Sequence, residues 1–180
     1  MSRDTYGRWR LVGAGAALPV TVLAAKRPAI RPLAALLWHQ TEEWVWPGRF
    51  LPWINREVFG SGQDEFPIDR RTAFTVNVVL GWGFSVAPLA GGRGAPEAAS
   101  LYASHLANSA LHLGWPVRHR RYDPGALTAA ALLVPISVAG LWRLAREDKV
   151  PTTTVLVGAA GGLIASAALP LVMRRRLRRR

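Results

Sequence analysis

The sequence contains no cysteine and has few acidic residues for its length. The absence of cysteine excludes a disulfide framework, a thiolate metal ligand and a cysteine nucleophile. Only 11 of the 180 residues are Asp or Glu, whereas 23 are Lys or Arg, so the formal net charge is +12. Such a charge would favour nucleic-acid binding if it covered one face of a soluble domain. The position of the charge along the chain therefore decides its meaning.

Apolar residues make up 50% of the chain and are gathered into stretches. The six stretches span residues 11–25, 29–46, 73–91, 97–117, 126–144 and 152–173. Most of them approach the length of about 20 residues that a membrane-spanning helix requires, although the first two are short and contain proline. The sequence therefore predicts an all-α fold, a polytopic membrane bundle of about six helices that forms a single domain over residues 1–180.

The basic residues follow the positive-inside rule in this topology. With both termini in the cytoplasm, 16 of the 23 Lys and Arg residues fall on the cytoplasmic side. Residues 174–180, RRRLRRR, are predicted to be a cytoplasmic tail that binds anionic headgroups. These observations predict an integral membrane protein with membrane lipids as partners, and they argue against nucleic acid. Residues 1–25 also fit a signal peptide, whose cleavage would leave the membrane prediction unchanged.

The longest polar connection joins the second and third apolar stretches. Its apolar residues recur at roughly helical spacing, at Phe50, Trp53, Ile54, Val58 and Phe59. This pattern predicts a short amphipathic helix in the membrane interface, with a lid over a cavity mouth as the alternative.

An ionisable cluster interrupts the second apolar stretch. His39, Glu42 and Glu43 lie within five positions of a Trp-rich helix. Ionisable side chains inside a membrane helix are costly unless they face a cavity, a metal ion or one another. The cluster therefore indicates a functional site, and its partners must come from other helices.

The fourth apolar stretch supplies such partners. At 3.6 residues per turn, His105, Asn108 and His112 point the same way from one helix. In the predicted topology they lie at about the depth of His39 and of Asn77 from the third stretch. Polar residues from three helices at one depth indicate a built site, whereas each taken alone is also compatible with ordinary helix packing.

Spacing indicates which side chains can share an ion. His39 and Glu43 are four positions apart and can bind one metal ion from a single helical turn. His105 and His112 lie about 10.5 Å apart along their helix, so one ion would take one of them, and His112 is predicted as the third ligand. The predicted cofactor is a divalent metal, zinc or alternatively iron, and Glu42 is predicted to be the catalytic base. Four further residues are predicted to orient the ligands or the substrate: Asn77, Tyr102, His105 and Asn108.

Three functions are compatible with these residues. The first is a metal-dependent membrane enzyme that hydrolyses a lipid or another apolar small molecule. The second is a metal-free isomerase or cyclase for an isoprenoid-like substrate, in which Glu42 or Glu43 is a protonated general acid. The third is a non-catalytic membrane protein whose polar cluster fixes helix packing or binds a small ligand.

An ordered set of motifs resembles the HXXEE-domain family of bacterial integral membrane proteins. The motifs are HQTEE, GRF followed by WIN, FTVNVVLGW, HLANSALH and RRYDPGALTAAALLVP. The resemblance runs from about residue 33 to 135, within a core predicted at residues 29–135. It implies a small multi-helix domain of the bacterial cell membrane without a securely assigned reaction. It also implies shared functional importance for six positions, His39, Glu42, Glu43, Asn77, Asn108 and His112. The chain departs from the family pattern at Trp44, where His is common, and at Asp123, where Asn is common.

Overall fold

The computed structural model describes residues 5–86, 89, 95–147 and 150–179, and these residues form seven helices and no strand. The all-α prediction is therefore confirmed. The helices are α1 (Thr5–Lys26), α2 (Arg31–Trp44), α3 (Phe50–Trp53 with Ile54–Val58), α4 (Arg70–Phe74, Thr75–Trp82 and Gly83–Ser85), α5 (Ala95–His119), α6 (Ala126–Arg146) and α7 (Thr152–Arg178). The third predicted stretch, 73–91, corresponds to α4 up to residue 85, and its end lies partly outside the described residues.

Among the described residues, two helices, α6 and α7, are long and apolar enough to cross a membrane. Only 28% of the apolar window of α6 and 17% of that of α7 are buried inside the protein. The apolar surface of both helices thus points mainly outward. The bundle of six membrane helices with cytoplasmic termini stays a prediction.

Proline affects the helices differently according to its position. Pro32 lies in the first turn of α2, where its missing N–H leaves no hydrogen bond unmade. Helix α1 runs through Pro19 as one element of 22 residues, so the interruption suggested by the sequence does not end the helix. In α6 the turn before Pro135 is π-helical, Ala129–Leu133. Proline cannot donate a backbone hydrogen bond, so the regular hydrogen-bond pattern of the helix is interrupted at Pro135 and the neighbouring turn is wider than an α-helical turn.

Helices α5 and α7 approach each other at two glycines of α7. A Cβ atom on Gly158 would lie 2.3 Å from the carbonyl oxygen of Pro96, and one on Gly162 would lie 2.0 Å from that of Ser100. The hydroxyl of Ser104 donates to the carbonyl oxygen of Gly162 at 3.1 Å. The two backbones are therefore in direct contact, which only small residues permit.

The short helix predicted between the second and third stretches is present as α3. Buried Asn55 of α3 holds the following loop, because its side chain donates to Asp64 O and Ile68 O at 2.8 Å and accepts from Ile68 N–H at 2.9 Å. Apolar side chains of α3 and of this loop pack against Met173 near the end of α7. Helix α3 and the loop after it thus pack against the end of α7.

The basic tail is part of α7, which continues as far as Arg178. One tail residue, Arg176, donates to Pro67 O at 2.8 Å and lies 3.5 Å from an oxygen of Asp69. The tail therefore has a partner within the protein, and its predicted contact with anionic headgroups stays a prediction.

The fold brings three helices together around the ionisable cluster. Helix α2 packs against α1 on one side and against the first turns of α6 on another, and α5 packs against the same part of α6. The inward faces of α2 and α5 and the start of α6 consequently meet.

Candidate metal centre

Three buried side chains from α2 and α5 converge on one point. His39 Nε2 lies 3.5 Å from Glu43 Oε1, one helical turn away, and His112 Nε2 lies 3.2 Å from the same oxygen. The exposed fractions of the three residues are 1%, 4% and 0%. One ligand atom from each lies within 4.8 Å of the others, so the group could hold a metal ion. Ligand atoms of a tetrahedral zinc site are about 3.3 Å apart, close to the two distances to Glu43.

The hydrogen bonds of His39 define which ring nitrogen carries its proton. Thr128 Oγ1 lies within hydrogen-bond distance of a Glu42 oxygen and 2.9 Å from His39 Nδ1. The hydroxyl has one proton, and the carboxylate can only accept it, so Thr128 must accept from His39 Nδ1–H. His39 Nε2 is then unprotonated and faces Glu43, where Asn108 Nδ2 donates to it at 3.0 Å.

His112 is oriented in the same way by a different partner. Its Nδ1 is 2.7 Å from Asp123 Oδ1, and donation to this carboxylate turns Nε2 towards Glu43. Nε2 has no hydrogen-bond partner within the described part of the chain, although Glu43 Oε1 is close to it. A carboxylate that fixes the far side of an imidazole is typical of metal-binding histidines.

Negative charge exceeds positive charge around these residues. Within the described ranges, no Lys or Arg forms an ion pair with Glu42, Glu43 or Asp123. The second oxygen of Glu43 accepts a hydrogen bond from the indole N–H of Trp44 at 3.1 Å. Because the indole is uncharged, this bond leaves the negative charge of Glu43 in place. The interior of the site therefore favours a cation.

Two ionisable groups of the loop between α5 and α6, Tyr122 and Asp123, also lie where negative charge is disfavoured. Burial raises the pKa of Tyr122, and the hydrogen bond that its hydroxyl donates to Glu42 raises it further. Burial also raises the pKa of Asp123, an effect that its hydrogen bond with His112 opposes. Both groups thus lie in surroundings that disfavour additional negative charge.

Glu42 lies next to the converging atoms but faces other partners. Its two oxygens accept hydrogen bonds from the hydroxyl of Tyr122, the hydroxyl of Thr128 and two backbone N–H groups, those of Leu127 at 3.1 Å and Thr128 at 2.7 Å. The carboxylate thereby fixes the first turn of α6 against α2. The role of Glu42 as general base stays a prediction.

The comparison with known families gives one match. The sequence profile described as "Protein of unknown function with HXXEE motif" matches residues 32–139, which is more than half of the chain. The chain belongs to this HXXEE family. Its motif is His39–Gln40–Thr41–Glu42–Glu43, so His39 and Glu43 of the motif belong to the converging group and Glu42 lies beside it. No curated protein and no solved structure matches the chain.

A glycine and two aromatic rings pack against the imidazoles of His39 and His112. A Cβ atom on Gly125 would lie 2.7 Å from the His112 ring and 2.8 Å from the His39 ring. On another side of His112 the rings of Phe50 and Trp53 lie at centroid distances of 5.7 and 5.9 Å. The imidazoles are therefore held in position by packing as well as by hydrogen bonds.

Other predicted site residues lie in different surroundings. Asn108 is brought to the cluster, whereas Asn77 accepts from Gln40 at 3.0 Å, and Gln40 in turn accepts from the indole of Trp82 at 2.8 Å. Tyr102 belongs to the apolar core between α5, α6 and α7. His105 is buried, and its Nδ1 has no hydrogen-bond partner among the described residues.

The sequence interpretation missed the residues that hold the histidines. Asp123, Gly125 and Thr128 come from one short segment, which the sequence marks as a turn followed by a helix start. In the predicted topology this turn lies on the same side of the membrane as His112. A buried acidic residue at such a turn could therefore have been connected with the histidine.

Proposed function

We propose that this HXXEE protein is a metal-dependent membrane enzyme that hydrolyses a lipid or another apolar substrate. The observation that carries the proposal is the convergence of two imidazole nitrogens and one carboxylate oxygen in a buried space. If both imidazoles are neutral, their nitrogens and the carboxylate oxygen are three electron-pair donors that face one another, and a metal ion among them would relieve their repulsion.

The cost of buried charge supports a metal ion over an empty polar cluster. Leaving one charge of a buried pair without its partner typically costs about 3–5 kcal/mol. Glu43 and Asp123 flank His112 without a Lys or Arg partner within the described ranges. A divalent cation would offset both charges at once, whereas a proton on His112 would place one positive charge between them.

Two His and one Glu are ligands of both zinc hydrolases and non-haem iron enzymes. We assign zinc to the centre and keep iron as the alternative. A divalent ion held there would polarise a substrate carbonyl or phosphoryl group and make a bound water nucleophilic.

Asn108 faces the remaining side of the centre. Its amide nitrogen now donates to His39 Nε2 at 3.0 Å, and the lone pair of that nitrogen cannot also bind a metal. Metal binding therefore requires the carboxamide to rotate, and a half-turn would present its oxygen to the ion. Asn108 is thus suited to orient a ligand or a substrate, as the sequence predicted.

Apolar surroundings support an apolar substrate. A cavity of about 440 Å³ lies between α1, α2 and α6, with Ala34, Trp38 and Leu132 in its wall. Large apolar side chains are also exposed on α1, α6 and α7, including Leu11, Val138, Leu156 and Ile164. An exposed apolar surface of this kind is typical of contact with lipid or with another protein. Lateral entry from a bilayer is consistent with both features.

Metal analysis of the protein purified in neutral detergent tests the proposal. Wild type should contain about one equivalent of zinc or iron, and His39→Ala, Glu43→Ala and His112→Ala should each lose it. The matched controls are His119→Ala and Glu57→Gln, whose side chains are exposed and outside the group. Wild type without stoichiometric metal, or unchanged metal in all three variants, would refute the metal centre.

Hydrolysis is tested separately on the metal-loaded protein. 4-Nitrophenyl butyrate and bis(4-nitrophenyl) phosphate serve as ester and phosphodiester probes, and turnover should stop on chelation and return with the metal. Turnover that resists the chelator but disappears in Glu43→Gln would favour the metal-free acid–base alternative. The 3.2 Å distance between Glu43 and His112 is compatible with that alternative, since a proton on His112 could replace the ion.

A further inference from the structure

A second cavity, of about 360 Å³, is lined by Trp44, the residue that follows the proposed metal ligand Glu43. Its walls come from the start of α1, the turn between α2 and α3, the loop before α4 and the start of α4. The volume is within the range of small-molecule sites. Unlike the apolar cavity between α1, α2 and α6, this cavity is lined by three arginines, Arg10, Arg49 and Arg70.

The charges of this arginine-lined cavity favour an anion. The two acidic residues in its wall, Asp64 and Glu65, already form ion pairs with arginines at 2.5 and 2.6 Å. Arg10 and Arg49 have no ion-pair partner within the described ranges. Two guanidinium groups are therefore available to a ligand, and guanidinium groups bind phosphate oxygens through paired hydrogen bonds.

The backbone at Arg49 has an uncommon conformation. Gly48 and Arg49 have φ angles of 72° and 70°, in the left-handed region. This region costs a residue with a Cβ atom about 1–2 kcal/mol, and residues held in it are enriched at ligand sites. The tight turn lets an arginine directly after α2 line the cavity.

A tryptophan connects this cavity with the metal centre. The ring of Trp44 lines the cavity and contacts Trp9 at a centroid distance of 5.2 Å. The indole N–H of Trp44 donates to Glu43 Oε2 at 3.1 Å. A ligand in the cavity would therefore contact a residue that is hydrogen-bonded to a proposed metal ligand.

We infer that the arginine-lined cavity binds the phosphate group of an amphiphile, whose phosphate lies between Arg10 and Arg49. The inference rests on the proposed function, because it makes a phosphate-bearing lipid the substrate class of the metal centre. Both arginines belong to the side of the bundle on which the sequence places most basic residues, where lipid headgroups would lie.

Calorimetric titration of the protein, residues 1–180, in neutral detergent tests the inference. The probes are dihexanoyl phosphatidic acid, dihexanoyl phosphatidylcholine and inorganic phosphate. Phosphatidic acid should bind most tightly, and Arg10→Gln and Arg49→Gln should each weaken it about 10-fold. Arg121→Gln is the matched control, because it removes an exposed arginine that lies outside the cavity. Thermal unfolding should be unchanged in all three variants.

The binding and metal measurements on these variants distinguish the possible outcomes. Equal affinity in wild type and in the double variant Arg10→Gln/Arg49→Gln would overturn the inference. Inorganic phosphate binding as tightly as phosphatidic acid would overturn its lipid part, because the site would then take a soluble anion. Metal content measured on the same samples separates the two proposals. His39→Ala should lose metal and keep phosphatidic acid binding, whereas the double arginine variant should keep metal and lose this binding.

Discussion

The two halves of α5 perform different tasks. In residues 95–104 the helix packs through its backbone, with the carbonyl oxygens of Pro96 and Ser100 against Gly158 and Gly162 of α7. In residues 105–112 it turns His105, Ser109 and His112 inward as buried polar side chains. The first half contributes close backbone contact, whereas the second contributes buried polar groups to the candidate metal centre.

This difference indicates how each half should respond to substitution. The contact between α5 and α7 is sensitive to added atoms, because two backbones already touch. The candidate metal centre should be sensitive to lost or displaced polar atoms, because its geometry depends on the hydrogen bonds that the histidines make with Asp123, Thr128 and Asn108. Stability and metal affinity should therefore change independently along one helix.

The largest expected effect is that of Gly162→Ala on stability. The new Cβ atom would lie 2.0 Å from the carbonyl oxygen of Ser100, so α5 and α7 must separate. We expect a loss of about 3 kcal/mol in the free energy of unfolding, measured by thermal unfolding in detergent. The control is Gly161→Ala in the same helix turn, where a Cβ atom meets nothing within 4 Å. Equal unfolding of the two variants would contradict the contact, since both gain the same helix propensity.

Gly125→Ala should have the next largest effect, on metal affinity. Its Cβ atom would lie 2.7 and 2.8 Å from the rings of His112 and His39 and would displace both nitrogens. We expect about 100-fold weaker metal binding, measured by competition with a chromogenic chelator. Gly62→Ala is a suitable control, because Gly62 also has a positive φ, 69°, but an open environment. A similar loss in both variants would attribute the effect to backbone strain instead of ring displacement.

Asp123→Ala should weaken metal binding about 10–100-fold, because it removes the acceptor that orients His112. Asp123→Asn keeps an oxygen in the same place and should lose less. Asp64→Ala, at an exposed ion pair, is the control. Full affinity in Asp123→Ala would show that packing alone orients the imidazole.

Much of the helical framework could be predicted from apolar stretches and turn signals. The predicted stretches 126–144 and 152–173 correspond to Ala126–Arg146 and Thr152–Arg178, because turn residues precede both helices. Helix α1 begins earlier than predicted, at Thr5, because a search for apolar residues passes over a polar first turn. The π-helical turns depend on backbone bonding register, which residue types alone do not specify.

The site could be predicted in part, for a geometric reason. Counting residues along the helices placed both histidines of α5 at about the depth of His39, and one of them, His112, is grouped with His39 and Glu43. Rotation of a helix about its axis depends on packing. Asn77 was therefore expected in the site but bonds to Gln40 on another face of α2. The partners of the histidines were missed because they come from the loop and first turn before the fifth apolar stretch.

The smallest effect, and the most specific, is expected for Thr128. Its hydroxyl joins His39 Nδ1 to Glu42 and thereby keeps His39 Nε2 unprotonated. Thr128→Val retains the shape of the side chain but removes the hydroxyl, so metal affinity should fall about 10-fold, measured with the same chelator. Thr128→Ser should restore the affinity, because it returns the oxygen. A purely structural role predicts the opposite order, since serine lacks the methyl group that valine keeps, and unfolding measured on both variants separates the two explanations.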